Sequence, residues 1–451
     1  MNKDFLLTTP LAKRLYEEVA RDLPLIDFHN HLNVLDIVSD RQFDNIAELW
    51  LLSDPYKHRA MRICGVPERL ITGSADAKEK FFAWCEIFPN LLGNPLYDWS
   101  NMEMQWVFGI DLPICKENAQ AIWDAANEKL RLPEFSAQGL LRQFNCEYAA
   151  PCATISDDLT PFESLPYLAP SLRGDDLLVP TNALLKRLHA LTGVAITDLA
   201  SLERAIHLRL DAFHAVGCRY SDHALDNGFT YLPDDGKSAE RFAAFLRTGA
   251  VTAQDRPAFA SDMLRLLAKS YADHGWVMQL HIGAQRVTSS RLRTLAGAAG
   301  GFACMGHTVD VASLAAMLDD MERRGGLPRT LLFTLNPADT EVMTVLTGSF
   351  AEDGISPKVG QGPAWWWCDH AQGMRQVLDS MASYSVLSTF IGMTTDSRSL
   401  LSMLRHDYFR RVLCGWLGRK VAEGDFPDDF TLLASIVRKL SYENAANSLK
   451  G

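Results

Sequence analysis

Residues 23–31 of the chain read LPLIDFHNH, an apolar run that ends in two histidines separated by one residue. Successive side chains along a β-strand point to opposite faces, so residues i and i+2 share a face. His29 and His31 therefore present two imidazoles to one point, an arrangement that suits a zinc-like divalent ion. The run predicts a buried strand that opens into a metal site at its carboxyl end.

A second apolar run, TFIGMTTDSR at residues 389–398, also favours a strand. It leads to Asp396, and Arg398 lies two residues further along the same face. The first and last strands of a closed parallel barrel are neighbours, and the active sites of such barrels gather at the carboxyl ends of the strands. His29, His31 and Asp396 would leave metal positions open for water or substrate, as catalytic sites require.

The composition is typical of a soluble globular protein, with 451 residues of which 47% are hydrophobic and 22% charged. The net charge of −11 argues against nucleic acid as the main partner, because phosphate binding needs a basic surface. Nine cysteines without a CxxC pair favour a reducing compartment. No signal-peptide core and no apolar stretch of about 18 residues occurs, so we expect a cytoplasmic protein without membrane contact.

Strand candidates alternate with helices along most of the chain, which is typical of a parallel sheet covered by helices. The first is followed by a helical stretch at residues 36–141, which we interpret as an insertion before the second strand. The later candidates are 146–154, 166–173, 217–223, 276–281, 329–336, a weaker one leading to Trp365–Trp367, and 389–396. Because eight strands favour a closed barrel, we predict one α/β domain over residues 1–451, a (β/α)8 barrel of the TIM type.

Polar side chains recur at the predicted strand ends, including Arg173, Asp222, His223 and His281. Taken singly, a buried histidine is usually a satisfied core residue, and an arginine often belongs to a structural ion pair. Repeated at one edge of a barrel, they indicate a site, and Arg173 and Arg398 can hold a carboxylate in bidentate geometry. The tryptophans at 365–367 offer an aromatic wall for a sugar, although tryptophan is also ordinary core material.

Further segments carry a family resemblance and run from the first residues to the last third of the chain. They are DFLL (4–7), DFHNHL (27–32), YKHRAMR (56–62), GNPLYDW (93–99), SDHALD (221–226), GWVMQLHIGA (275–284), LNP (335–337), WWW (365–367), TDSRS (395–399) and RHDYFRR (405–411). In these segments the chain resembles the uronate isomerases, or glucuronate isomerases, of the amidohydrolase superfamily.

The resemblance implies a distorted (β/α)8 barrel with one divalent metal ion, for which zinc is the expected identity. The family's metal ligands match His29, His31 and Asp396, and the bridging lysine of two-metal relatives has no candidate here. The implied reaction interconverts D-glucuronate with D-fructuronate and D-galacturonate with D-tagaturonate. The expected partner is thus a small uronic acid. Whether the chain also forms a homo-oligomer is left open. The family's pocket residues carry over to Tyr56, Arg173, His281, Trp365, Trp366 and Arg398.

One departure from the family pattern concerns the residue before Tyr56. Relatives often carry a histidine there, whereas this chain has Pro55. His58, two residues after Tyr56, is the candidate that replaces it in binding substrate.

An aldose–ketose isomerisation moves a proton from C2 to C1 through an enediol, and it needs a base, an acid and stabilisation of negative charge. Asp396, or a water that it holds on the metal, is the candidate base. Arg398 stabilises the enediolate or grips the carboxylate, and Tyr56 donates a proton or positions the sugar. Two alternatives stay open: a metal-dependent hydrolase of the same superfamily, and a sugar-acid binding protein that has lost catalysis.

Overall fold

A parallel sheet lies at the centre of the molecule, whose computed structural model describes residues 1–450. The strands are Leu25–Asn30 (β1), Cys146–Thr154 (β2), Ser171–Arg173 (β3), Tyr220–Leu225 (β4), Val277–Ile282 (β5), Ala284–Gln285 (β6), Cys304–Met305 (β7), Arg329–Thr334 (β8) and Val359–Gln361 (β9). Seven of them form the main sheet in the order β1-β2-β3-β4-β5-β8-β9, and β6 pairs with β7. All neighbours in the main sheet are parallel.

Helices fill the connections, because parallel neighbours need a long crossover that covers the sheet. The α-helices are Pro10–Leu15 (α1), Val34–Val38 (α2), Ile46–Trp50 (α3), Pro55–Ile63 (α4), Ala77–Ile87 (α5), Pro95–Met102 (α6), Ala119–Lys129 (α7), Ala137–Gln143 (α8), Asp175–Leu178 (α9), Asn182–Thr192 (α10), Leu199–Ala215 (α11), Ser238–Thr248 (α12), Arg256–Asp273 (α13), Ser290–Ala296 (α14), Val311–Arg323 (α15), Thr340–Thr347 (α16), Ala371–Tyr384 (α17), Arg405–Ala422 (α18), Phe430–Arg438 (α19) and Asn444–Ser448 (α20). Across residues 1–450, no helix is both long enough and apolar enough to cross a membrane.

The sheet curls, so that side chains of distant strands meet on its inner face. The ring of Phe28 on β1 stacks on that of Tyr220 on β4, with centroids 5.0 Å apart. The ring of His29 lies 4.6 Å from that of His281 on β5. Neighbouring strands of a sheet already lie about 4.8 Å apart, so a flat sheet could not bring these rings together. The result is a TIM-like half-barrel with an apolar interior.

The last predicted strand is not a strand in the structure, which corrects the expectation of eight strands. Residues 390–397 instead run along the free edge of β1. The Asp396 N–H donates to the carbonyl of His29 at 3.0 Å, and the His31 N–H donates to that of Ser397 at 2.7 Å. Gly392 (φ 94°) and Asp396 (φ 45°) adopt left-handed backbone conformations, which interrupt an extended ladder.

Asp27 ties this segment to β1 from within the sheet. Its carboxylate is 0% exposed and accepts hydrogen bonds from the Thr395 N–H at 2.7 Å and from the Thr394 and Thr395 hydroxyls at 3.0 and 2.8 Å. The Nε2 atom of His406 lies 3.1 Å away. A buried charge needs such partners, and these partners hold the residue before Asp396 beside the strand that carries His29.

Gly392 allows the segment to approach the C-terminal helices closely. A Cβ atom there would overlap the carbonyl oxygen of Leu440, whereas one at Gly354 (φ 78°) would meet open space. We expect Gly392→Ala to lower the free energy of unfolding by about 3–5 kcal/mol, and Gly354→Ala by about 1–2 kcal/mol from the left-handed backbone alone. Chemical denaturation of both variants measures the difference. Equal losses in the two variants would show that the close approach to Leu440 does not contribute to the free energy of unfolding.

Candidate active site

Three side chains from the two ends of the chain meet at the carboxyl end of β1. The Nε2 atoms of His29 and His31 lie 3.4 and 3.0 Å from Oδ1 of Asp396. The indole N–H groups of Trp365 and Trp366 donate to Oδ2 of the same carboxylate, at 2.6 and 2.8 Å. The two indoles therefore occupy one oxygen of Asp396 and leave the other facing both imidazoles.

The backbone is strained where these groups are positioned. Trp366 (φ 48°) and Asp396 (φ 45°) both adopt the left-handed conformation, which is unfavourable for residues with a Cβ atom. Such strain costs roughly 1–3 kcal/mol per residue and tends to occur at functional sites, where the surrounding structure maintains it. Here it accompanies the hydrogen bond between the Trp366 indole and the Asp396 carboxylate.

The spacing of the donor atoms fits a divalent metal ion. Zinc binds histidine nitrogen and carboxylate oxygen at about 2.0–2.2 Å, so neighbouring ligand atoms of a tetrahedral site lie about 3.3 Å apart. The observed separations of Asp396 Oδ1 from the His29 and His31 nitrogens are 3.4 and 3.0 Å. Two imidazoles and one carboxylate are also ligand types that catalytic zinc sites use. The residues present thus suit a metal-dependent enzyme.

The electrostatic environment attracts positive charge to this point. Burial opposes protonation of His29, yet the neighbouring Cys152 and Asp396 side chains raise its pKa well above the ordinary value. Burial also opposes ionisation of Asp396, but hydrogen bonds with His29 and His31 hold its pKa well below the usual range. The same anionic groups favour a metal cation at this position as much as they favour a proton.

A cavity of about 470 Å³ opens beside this cluster, a size that suits a small ligand. Its lining includes His31, Asp396, Tyr56, Trp366, Trp367 and the arginines 173, 286, 293 and 398. Arg173 pairs with Asp175 at 3.0 Å, and Arg286 pairs with Asp226 at 2.9 Å. Within residues 1–450, Arg293 and Arg398 have no carboxylate at ion-pair distance. The cavity of this acidic protein therefore presents free guanidinium groups to an anion.

The remaining residues predicted for the site lie at different depths. Tyr56, in the first turn of α4, lines the cavity. Trp365 and His281, predicted to bind substrate, are each 3% exposed and are not part of the cavity lining; their ring centroids lie 4.8 Å apart. The structure does not bring His58 to the cavity, and burial lowers its pKa to about 4. Residues two apart on a helix point in different directions, so His58 cannot share the orientation of Tyr56.

Some residues at the site were not singled out by the sequence pattern. Cys152 on β2 places its Sγ 3.7 and 3.9 Å from the two ring nitrogens of His29, and 4.0 Å from Oδ1 of Asp222. Arg286 follows β6 and Arg293 lies on α14, and both reach the cavity lining. Cys152 and Arg286, like His281, lie at or beyond the carboxyl end of a strand, but this position alone does not distinguish them from other residues at strand ends.

The fold and the site define a class of protein, the TIM-like α/β enzymes whose reacting groups gather at the carboxyl ends of parallel strands. A family model described as glucuronate isomerase matches residues 1–449. A uronate isomerase from Haemophilus influenzae (strain PittGG) is 37% identical over all of this chain and 99% of its own. One from Salmonella arizonae is 39% identical over 99% of this chain and 98% of its own.

A crystal structure of uronate isomerase from Thermotoga maritima superposes with a TM-score of 0.91 at 30% identity, covering 100% of this chain and 99% of that one. The chain belongs to the glucuronate isomerase family. This membership confirms the resemblance seen in the sequence and makes the chain an aldose–ketose isomerase rather than a hydrolase.

Proposed function

We propose that the chain interconverts D-glucuronate with D-fructuronate, and D-galacturonate with D-tagaturonate, in the cavity beside Asp396. His29, His31 and Asp396 would hold one divalent ion, for which zinc fits the donor set. When bound, the ion supplies Lewis acidity that orients substrate oxygens and stabilises negative charge. The observation that carries the proposal is the meeting of these three side chains at a cavity with unpaired arginines.

The cavity lining suits a sugar acid. A planar guanidinium binds a carboxylate through two parallel hydrogen bonds, and Arg398 is free to do so. Arg173 lies on the same cavity but already donates to Asp175 at 3.0 Å, so it contributes mainly positive charge. Trp366 and Trp367 offer aromatic faces to the C–H groups of the sugar. These groups would place the uronate with its reacting carbons beside Asp396.

Proton transfer would run through the carboxylate of Asp396. Oδ1 is the atom that faces the histidines, because both indoles occupy Oδ2. This carboxylate, or a water that it holds, takes the proton from C2 and returns it to C1, so the reaction consumes no net proton. Burial raises the pKa of Tyr56 well above its ordinary value, so its hydroxyl keeps its proton and donates it to the C1 oxygen; it recovers a proton from the C2 hydroxyl when the ketone forms.

We extend the proposal to the whole chain, residues 1–451, as one catalytic domain that works in the cytoplasm. Residues 36–141 form the helical insertion of this domain. They contribute Pro55 and Tyr56 of α4 to the cavity, so the insertion supplies part of the site. Free thiols at all nine cysteines are in keeping with a reducing compartment.

The proposal is tested by incubating the metal-loaded protein with D-glucuronate and, separately, with D-galacturonate. We expect the two keto sugars as products, detected by nuclear magnetic resonance. A protein that binds both uronates in calorimetry but forms neither product would instead be the inactive sugar-acid binding protein.

Arg398→Lys is expected to lower kcat/KM by at least about tenfold, equal to about 1.4 kcal/mol of transition-state stabilisation. Lysine keeps the charge but loses the planar fork that matches a carboxylate or enediolate. Steady-state kinetics on both uronates measures the loss. Arg291→Lys, on α14 and outside the cavity lining, is the control and should be unaffected. Unchanged kinetics for Arg398→Lys would place Arg398 outside the reacting site.

A further inference from the structure

We propose that the thiolate of Cys152 is a fourth protein ligand of the metal ion, which rests on the metal centre proposed above. The potential donor atoms of His29, His31 and Cys152 all lie within 4.8 Å of one another. Zinc–sulfur bonds of about 2.3 Å place a thiolate about 3.5 Å from a neighbouring nitrogen ligand. Sγ of Cys152 lies 3.9 Å from Nε2 of His29, the atom that also faces Asp396.

The contacts of Cys152 differ from those of an ordinary core cysteine. Cys218 and Cys368 each donate to a backbone carbonyl, at 3.3 and 3.2 Å. The Cys152 sulfur instead faces the imidazole of His29 and the carboxylate of Asp222. A thiol whose polar contacts are ionisable side chains at the proposed metal position is placed to bind a cation.

Unpartnered polar atoms next to His29 favour a cation at this position independently of Cys152. Asp222 is 1% exposed, and its Oδ2 has no hydrogen-bond partner among residues 1–450, although Nδ1 of His281 lies 3.6 Å away. His281 is 3% exposed, and its Nε2 is likewise without a partner there. A buried carboxylate oxygen without a partner is costly unless positive charge lies beside it. A divalent ion held by Cys152 and His29 supplies that charge.

The thiolate changes which metal the centre prefers. Thiolate ligands select soft ions such as zinc, whereas carboxylate and water favour magnesium and manganese. The thiol releases its proton to solvent when the ion binds, so metal uptake releases protons. Zinc also accepts a fifth ligand, so four protein ligands do not close the centre to substrate.

Cobalt substitution tests the proposal, because a cobalt–thiolate bond gives a sulfur-to-metal charge-transfer band in the near ultraviolet. We expect the band in the wild-type protein and in Cys146→Ser, a half-buried cysteine of the same strand outside the cluster. Cys152→Ser should lack the band while it still binds cobalt. Its affinity for cadmium should fall at least about tenfold more than its affinity for manganese.

The outcomes separate this inference from the proposed metal centre. Cobalt bound by the wild-type protein without the band, or a band that persists in Cys152→Ser, would overturn the thiolate ligand and leave the centre standing. No cobalt bound at all would overturn both. If Cys152→Ser does not fold, X-ray absorption of the wild-type zinc protein decides. A sulfur neighbour at about 2.3 Å supports the ligand, and its absence rejects it.

Discussion

Asp396→Asn is expected to abolish isomerisation almost completely, with a loss of roughly 10²–10⁴-fold in kcat. Asparagine keeps the shape and can still accept from the Trp365 and Trp366 indoles, but it removes the base. Uronate binding should be partly retained, because Arg398 and the other cavity arginines are untouched. Turnover and retention of deuterium at C2 in D₂O, for wild type and variant, measure the effect.

The comparison needs equal metal occupancy in the two proteins, because the substitution also weakens the metal site. Without equal occupancy, loss of the metal and loss of the base would lower turnover in the same way. An Asp396→Asn protein that holds its metal and still isomerises at near wild-type rate would rule out Asp396 as the base.

The double variant His29→Ala/His31→Ala should lose its metal, with affinity falling at least about 100-fold. Removing one residue that merely orients a metal ligand already costs about 10–100-fold, and this variant removes two ligands outright. Elemental analysis after dialysis measures the metal content. His189→Ala/His307→Ala, at two exposed positions, is the matched control and should keep its metal. Wild-type metal content in the His29/His31 variant would place the metal elsewhere.

Local sequence patterns predicted most of the sheet correctly. The segment at 146–154 is β2 with the same bounds, although Pro151 lies within it. The candidate at 166–173 shortens to β3, Ser171–Arg173. The run before Asp396 is apolar and β-favouring, yet the left-handed backbone at Gly392 prevents a regular strand. Alternation of side chains shows which face a residue occupies, but it cannot show where a glycine must bend the chain.

The residues of the candidate site, too, could be predicted from the sequence only in part. His29 and His31 could be paired from their spacing alone, because residues two apart on a strand share a face. His58 was suggested only by its closeness in sequence to Tyr56 and Pro55, and it lies on α4 outside the cavity lining that Tyr56 joins. Cys152 and Arg293 could not be assigned beforehand, since their proximity to the site arises only when separate strands and loops come together in the fold.

The most direct test of the central claim is a metal titration of activity, starting from metal-free protein. Zinc is added in steps, and the rate of D-glucuronate isomerisation is measured at each step. With one ion held by His29, His31 and Asp396, the rate should rise linearly and become constant at one metal per chain. A break at two metals per chain, or full activity in protein without measurable metal, would contradict the account.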